Sequence, residues 1–229
     1  KEYTLSINDF KEYVEMWIHE VKIPISSLTL LNHNHKEQMN QKCTEQIRKL
    51  DNYIDQILYY VRSENAQRDY IIKEKSLQDI IKSVALKNKD DILENNIEFN
   101  VNVNNETVLT DSKWLEFILN QIINNGIKYK KDNCNSKIVV NVMEDEEKTY
   151  LSIYDNGIGI SKSDIPRVFD KSFTGENGRR MAKSTGMGLY IAKKLCDKLG
   201  HKITIESKVQ KYTRVTIIFS KSDFYKIKE

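Results

Sequence analysis

Few cysteines, no long apolar run and no strong charge of one sign mark this sequence of 229 residues, and each absence closes off a class of protein. The 3 cysteines, Cys43, Cys134 and Cys196, lie far apart and form no C-x-x-C pair. An odd count at that spacing argues against a disulfide framework or a cysteine zinc site, and suits free thiols in a reducing compartment. No stretch approaches the roughly eighteen apolar residues of a membrane span, and the N-terminus lacks a signal-peptide pattern. Net charge is only +3. Residues 1–66 carry 8 basic and 10 acidic side chains, and the remainder 28 and 23. Neither part is basic enough to point to nucleic acid, while the excess in the second part suits a phosphate-bearing ligand.

What is present is an ordinary globular composition, 39% apolar and 30% charged, with a period that changes along the chain. Apolar residues fall at Phe10, Val14, Trp17, Val21, Pro24, Leu28 and Leu31, alternating steps of four and three. After a polar break at 32–40 the spacing returns at Cys43, Ile47, Leu50, Ile54, Ile57 and Val61. These are heptad seams on two helices joined by a loop, an antiparallel hairpin that needs a second copy to close a four-helix bundle. Strand-like alternation follows at 97–103, 138–143, 150–154, 202–206 and 213–219, with helical patterns at 76–88, 112–129 and 188–199. The turns EDEEK and KVQKY join two of the strand pairs into hairpins. The fold class is therefore α+β: a dimerising helical hairpin over 1–66, then an α/β sandwich over 67–229 with helices on one face of a mixed sheet. The linker falls near 64–75.

With Val14 and Val21 at a and Trp17 at d, His19 takes position f and points away from the seam, where a histidine is ordinarily just solvated. Its neighbours alter that reading. Glu20 follows at once and could accept a hydrogen bond from one ring nitrogen, leaving the other neutral and nucleophilic near pH 7. Pro24 lacks the N–H that would bond the carbonyl of Glu20, which weakens the helix at a cost of about 3 kcal/mol and suits a bend. His33 and His35 sit in the loop, and His201 precedes a strand with no partner in view.

Three separated pieces of the second segment carry the remaining chemistry. On the helix starting near Asp111, Gln121, Asn125 and Lys128 share a face away from the apolar stripe Trp114, Leu115, Ile118, Leu119 and Ile122. Asp155-Asn156-Gly157-Ile158-Gly159-Ile160 follows a strand and would by itself be read as a turn. Thr185-Gly186-Met187-Gly188-Leu189 opens a helix, where bare backbone N–H groups make a phosphate site. Before it runs a polar stretch, 170–184, with Arg179, Arg180 and Lys183, long enough to be a lid. Neither a Walker A loop nor a protein-kinase glycine loop occurs.

His19-Glu20-Val21-Lys22-Ile23-Pro24 resembles the phosphoacceptor box of bacterial sensor histidine kinases, whose usual form is H-E-[LIV]-[RK]-[TN]-P. Trp17, Lys22 and the run Leu58-Tyr59-Tyr60-Val61-Arg62 are similar to the small intramembrane-sensing kinases of antimicrobial-peptide response. Gln121 to Tyr129, with Asn125 at its centre, resembles the N box of the ATPase fold shared by histidine kinases, gyrases and Hsp90. The two glycine-bearing pieces resemble that fold's glycine boxes, and Phe169 and Phe173 its aromatic box. The resemblance implies ATP and Mg²⁺ as cofactors, autophosphorylation of His19 and transfer to an aspartate of a response regulator. It assigns Asn125 to the metal, Lys128 to the phosphates and Tyr129 to the base or ribose. Asp155, with Gly157, Gly159 and Ile160, falls to adenine, Gly186, Met187, Gly188 and Leu189 to the phosphates, and Arg179 and Arg180 to the lid. It further implies a homodimer, and a cytoplasmic domain of a membrane-anchored protein with a sensor or transporter partner. Two positions depart: Gln121 stands where the box usually has Asn, and Ile23, which cannot hydrogen-bond a water, stands where Thr or Asn orients one for dephosphorylating the regulator.

Overall fold

The computed structural model describes residues 39–64, 70–132, 134–181 and 184–221, with ten further positions between 13 and 28. The chain divides into two compact units, Lys1–Asp69 and Tyr70–Glu229.

In the first unit, helix α1 (Met39–Glu64) begins inside the break expected at 32–40. The described positions between 13 and 28 are helical as well. The rings of Tyr13 and Tyr60 pack with centroids 4.3 Å apart, both fully buried. Burial raises the Tyr13 phenol well above its usual value, since the phenolate cannot be solvated there. Ile54 and Leu58 on α1 remain 54% and 43% exposed, an apolar stripe that the described residues do not cover. Pro24 is buried and lies in helix, and Ile23 is half-exposed beside it. His19, like most of the first predicted helix, His33 and His35, lies outside the described residues.

The second unit is a sandwich of one sheet and a helical layer. Strands β2 (Glu98–Asn102), β4 (Lys137–Glu144), β5 (Lys148–Asp155), β6 (Lys202–Lys208) and β7 (Tyr212–Ser220) form a sheet in the order β2-β4-β5-β7-β6. β2 runs parallel to β4 and every other pair is antiparallel, so the sheet is mixed as the pattern predicts. Thr149, Leu151 and Ile153 on β5 and Val215, Ile217 and Phe219 on β7 bury alternate residues against the helices.

Helix α4 (Ser112–Lys128) is the spine of this unit. Asp111 caps it, one carboxylate oxygen accepting from the Trp114 N–H at 3.0 Å and the other from the Ile71 N–H at 2.9 Å. The sequence predicts one apolar stripe, but Phe117, Asn120, Gln121 and Ile123 are buried too. The reason is that α4 packs against α2 (Leu77–Lys87), α6 (Gly188–Lys198) and β5 at once. Of its buried amides, Asn120 accepts from Asn88 Nδ2 at 2.7 Å, which satisfies the group inside the core.

Three small elements escape the sequence pattern. Strands β1 (Lys73–Ser76) and β3 (Thr107–Thr110) pair in a two-stranded ribbon, and helix α3 (Lys89–Glu94) follows α2 after Asn88. Each is four to six residues long, too short to show a period.

His201 corrects an expectation. Its Nε2 lies 3.0 Å from Thr110 Oγ1, and its ring meets Phe219 edge-on at 4.6 Å. It is a core histidine, 5% exposed, and burial lowers its pKa from 6.5 to about 4. The unfolded chain therefore takes up a proton first as the pH falls, so this group withdraws stability between about pH 6.5 and pH 4. Denaturant unfolding of wild type and His201→Phe at pH 7.5 and 4.5 tests this. The variant is expected to lose less on acidification, by on the order of 3 kcal/mol at most.

Candidate nucleotide-binding site

The site assembles where the end of α4, the loop after β5 and the start of α6 meet. β5 ends on Asp155, and its side chain turns back to accept the Gly157 N–H on Oδ1 at 2.9 Å. Burial pushes this carboxyl up from 3.8 to about 6, moderated by that N–H and by the charge of Lys131. The group is still mainly ionised at neutral pH and holds a charge that is half removed from water.

The loop is pressed against α4 by the backbone. Ile158 N–H donates to the carbonyl of Tyr129 at 3.0 Å. A Cβ on Gly157 would stand 2.4 Å from that same oxygen, so only glycine fits. Gly159 turns with φ +68° under the carbonyl of Lys208, which a Cβ would meet at 2.3 Å. Beyond it, Ile160 N–H donates to Ser207 Oγ at 2.8 Å. The turn formers read from the sequence thus have a second duty: they bring the chain within hydrogen-bond reach of both neighbours.

The second glycine loop enters from the other side. Gly186 adopts φ +68° against the backbone of Ser172 and Phe173. Met187 is fully buried, its N–H 3.2 Å from Thr185 Oγ1 and its sulfur 3.8 Å from the Ser172 hydroxyl. Gly188 opens α6 with Gln121 Oε1 only 2.6 Å from where a Cβ would be. Gln121, set apart in the sequence for departing from the usual Asn, is brought against this loop.

Asn125 and Lys128 lie in the last turn of α4, both half-buried, and Tyr129 caps it, its N–H bonding the Asn125 carbonyl at 2.9 Å. Lys128 Nζ donates to Ser184 Oγ at 2.7 Å, and Tyr129 Oη shares a 2.5 Å bond with the same hydroxyl. Burial raises the Tyr129 phenol, and the Ser184 bond lowers it in part. Phe169 and Leu189 are half-buried nearby in sequence to these loops, and Phe173 carries Arg167 over its ring at 4.5 Å.

The stretch 170–184 is not patternless. It contains the short helix α5 (Gly175–Met181), with Glu176 N–H bonded to Asp164 Oδ2 at 2.9 Å. Asn177 Nδ2 donates to the Gly159 carbonyl at 2.7 Å. The side chains of Arg179 and Arg180, and Lys183, lie outside the described residues. Ser184, Asn177 and Ser207 were not singled out from the sequence. Ser184 stands next to the glycine box, whereas nothing local marks Asn177 or Ser207, which act through contacts 18 and 47 residues away.

In the first unit, Glu20 is half-buried and its carboxylate accepts the Tyr53 hydroxyl at 3.4 Å. Burial foremost, with the Glu20 charge, pushes the Tyr53 phenol up to about 12.

A domain of this topology, with two glycine loops converging on the end of one buried helix, defines the class: residues 110–223 match the family described as histidine kinase-, DNA gyrase B-, and HSP90-like ATPase. Along nearly its whole length the chain is similar to sensor histidine kinases. It is 34% identical to the sensor histidine kinase YxdK of Bacillus subtilis (strain 168) over 208 residues, which is 90% of this chain and 64% of that one. It is 31% identical to the sensor protein BceS of the same strain, covering 95% of this chain and 64% of the relative. The chain thus spans just under two thirds of the length of the curated relatives it matches. Its fold is shared with the histidine kinase ThkA in a crystal structure with the response regulator protein TrrA, at a TM-score of 0.69 and 20% identity, covering 96% of this chain and 64% of that one.

Because a raised carboxyl pKa favours the protonated folded state, Asp155 withdraws stability as the pH rises from about 3.8 to about 6, opposite in sign to His201. Asp155→Asn is therefore expected to raise the midpoint of thermal unfolding at pH 7.5, by up to the equivalent of roughly 3 kcal/mol, and to leave it nearly unchanged at pH 4. Gly157→Ala is expected to lower the midpoint at both pH values, because the Tyr129 carbonyl must give way.

Proposed function

We propose that this chain is the phosphoacceptor and ATP-binding portion of a two-component sensor kinase, moving the γ-phosphoryl group of ATP to His19 and then to an aspartate of a response regulator. The observation that carries the nucleotide reading is the desolvated carboxylate of Asp155, aimed from the end of β5 beside two glycines that only the backbone can crowd. A carboxylate accepts from the amino group of adenine, while guanine would present a carbonyl at that edge and be repelled. Gly157, Gly159 and Ile160 shape the base side. Tyr129 and Phe169 flank the base or ribose, and Gly186, Met187, Gly188 and Leu189 offer backbone N–H groups to the phosphates at the start of α6.

Mg²⁺ fits the residues present. Among the described residues no group of three or more His, Cys, Asp or Glu could hold an ion alone. A hydrated cation that takes its oxygens mainly from phosphates needs only one neutral protein ligand, which Asn125 offers. When bound, it would neutralise charge on the β- and γ-phosphates. Lys128 adds a fixed cation on the same side, and Arg179 and Arg180 are placed by the sequence to do so from the lid.

At His19 the neutral imidazole attacks the γ-phosphorus, the bond to the β-bridging oxygen breaks, and ADP leaves. Glu20 holds the second ring N–H and keeps the attacking nitrogen unprotonated. Positioning and electrostatics supply most of the rate. The hinge is assigned to the linker near 64–75 and to Pro24. The exposed stripe with Ile54 and Leu58 supports a homodimer closing a four-helix bundle. The relatives' names and the regulator-bound neighbour support a response regulator as partner. A cytoplasmic placement in a membrane-anchored protein with a sensor or transporter partner rests on the resemblance of the acceptor-box region.

Incubation with γ-labelled ATP and Mg²⁺ tests the reading. Acid-labile, base-stable label is expected on wild type and not on His19→Gln. Free phosphate without labelled protein would instead mark an ATPase, and no turnover at all a binding scaffold. Because the ionised Asp155 is the stronger acceptor for the adenine amino group, ATP affinity is expected to fall, by up to about tenfold, on going to pH 5, as the carboxyl with its pKa of about 6 takes up a proton. Titration calorimetry of wild type across pH 5 to 8 measures this, and Asp155→Asn should bind weakly with no such slope.

A further inference from the structure

Lys128 and Tyr129 end one helix, and Ser184 lies 56 and 55 residues further on, yet the three polar groups converge on one oxygen. The ammonium, which can only donate, gives Ser184 Oγ a 2.7 Å bond. The phenol holds the same oxygen at 2.5 Å and carries the ammonium 5.3 Å from its ring centroid. Two of the hydroxyl's three bonding positions are thus occupied inside the protein. The segment carrying Ser184 is tied elsewhere as well, through Asn177 to the Gly159 carbonyl and through Gly186, whose turn sits on the backbone of Ser172 and Phe173. Ser184 is therefore delivered to Lys128 by a framework pinned to both glycine loops.

We propose that Ser184 is a specificity-setting residue that competes with nucleotide phosphate for Lys128. Its oxygen sits at hydrogen-bond distance from Nζ and takes one of the ammonium's three donor positions, drawing the group away from an incoming phosphate. The exchange is favourable, because a charged acceptor binds an ammonium more strongly than a hydroxyl does. It is also partial, because the internal bond is lost and the bond between Tyr129 and Ser184 must rearrange. Phosphorylated nucleotides consequently bind less tightly than Lys128 alone would allow, while adenosine, which needs no ammonium, is unaffected. This inference rests on the reading that the site takes ATP.

Titration calorimetry on the full chain with Mg²⁺ and ATP, or with adenosine, decides it. Ser184→Ala is expected to bind ATP roughly three- to tenfold more tightly and adenosine as wild type does. In a Lys128→Met background, the same serine change is expected to have no effect on ATP. Weaker or unchanged ATP binding by Ser184→Ala overturns the competition, as does an equal shift for adenosine or a gain that survives Lys128→Met. Wild type that binds neither ligand overturns instead the nucleotide reading beneath it.

Discussion

A carboxylate kept partly out of water at the end of a central strand is the constraint from which the second unit is organised. Removing charge from solvent is unfavourable, and Asp155 shows it in a pKa raised to about 6. The fold tolerates this because β5 is held on both edges, by β4 and by β7, so its last residue cannot swing outward. One oxygen is met by the Gly157 N–H, and helix α4 closes over the group at Gly126, where a Cβ would lie 3.5 Å from Asp155 Cβ. A protein selected for stability alone would have little reason to place an acid here. The arrangement suits a site that keeps an acceptor ready for a donor from a ligand.

The same helix joins stability to chemistry. Its first half, from Trp114 to Ile123, is buried on nearly every side, and that burial sets where the second half points. Asn125, Lys128 and Tyr129 are then presented at its end with little freedom, within two turns of the buried Ile123. Loss of packing at Trp114 or Leu119 would therefore be felt at the site as well as in stability.

Between the glycine loops, single side chains tie the described residues of the 170–184 segment to the rest of the unit. Asn177 and Ser184 each contribute bonds of ordinary strength, worth about 1 kcal/mol net apiece. Such ties can exchange with ligand groups, whereas the buried Met187 that follows them anchors the second glycine loop through packing. The division is useful: the anchor keeps the loop in register while the polar ties can let go.

Much of this was legible in the chain. Five strands, two hairpin turns and three helices announce themselves through periods of two and 3.6, because each is long enough for burial on one side to repeat. The acceptor box and the glycine loops could be read as local strings, since turn chemistry and helix starts are local. Tertiary structure alone decided that the middle of α4 is buried on most sides, that β1 and β3 pair, and that His201 belongs to the core through Thr110 and Phe219. It alone brought Gln121 against Gly188 and Ser184 onto Lys128. The physical reason is the same throughout: a residue's neighbours along the chain determine its local conformation, but a hydrogen bond spanning fifty residues exists only once the sheet and its helices have set the distance.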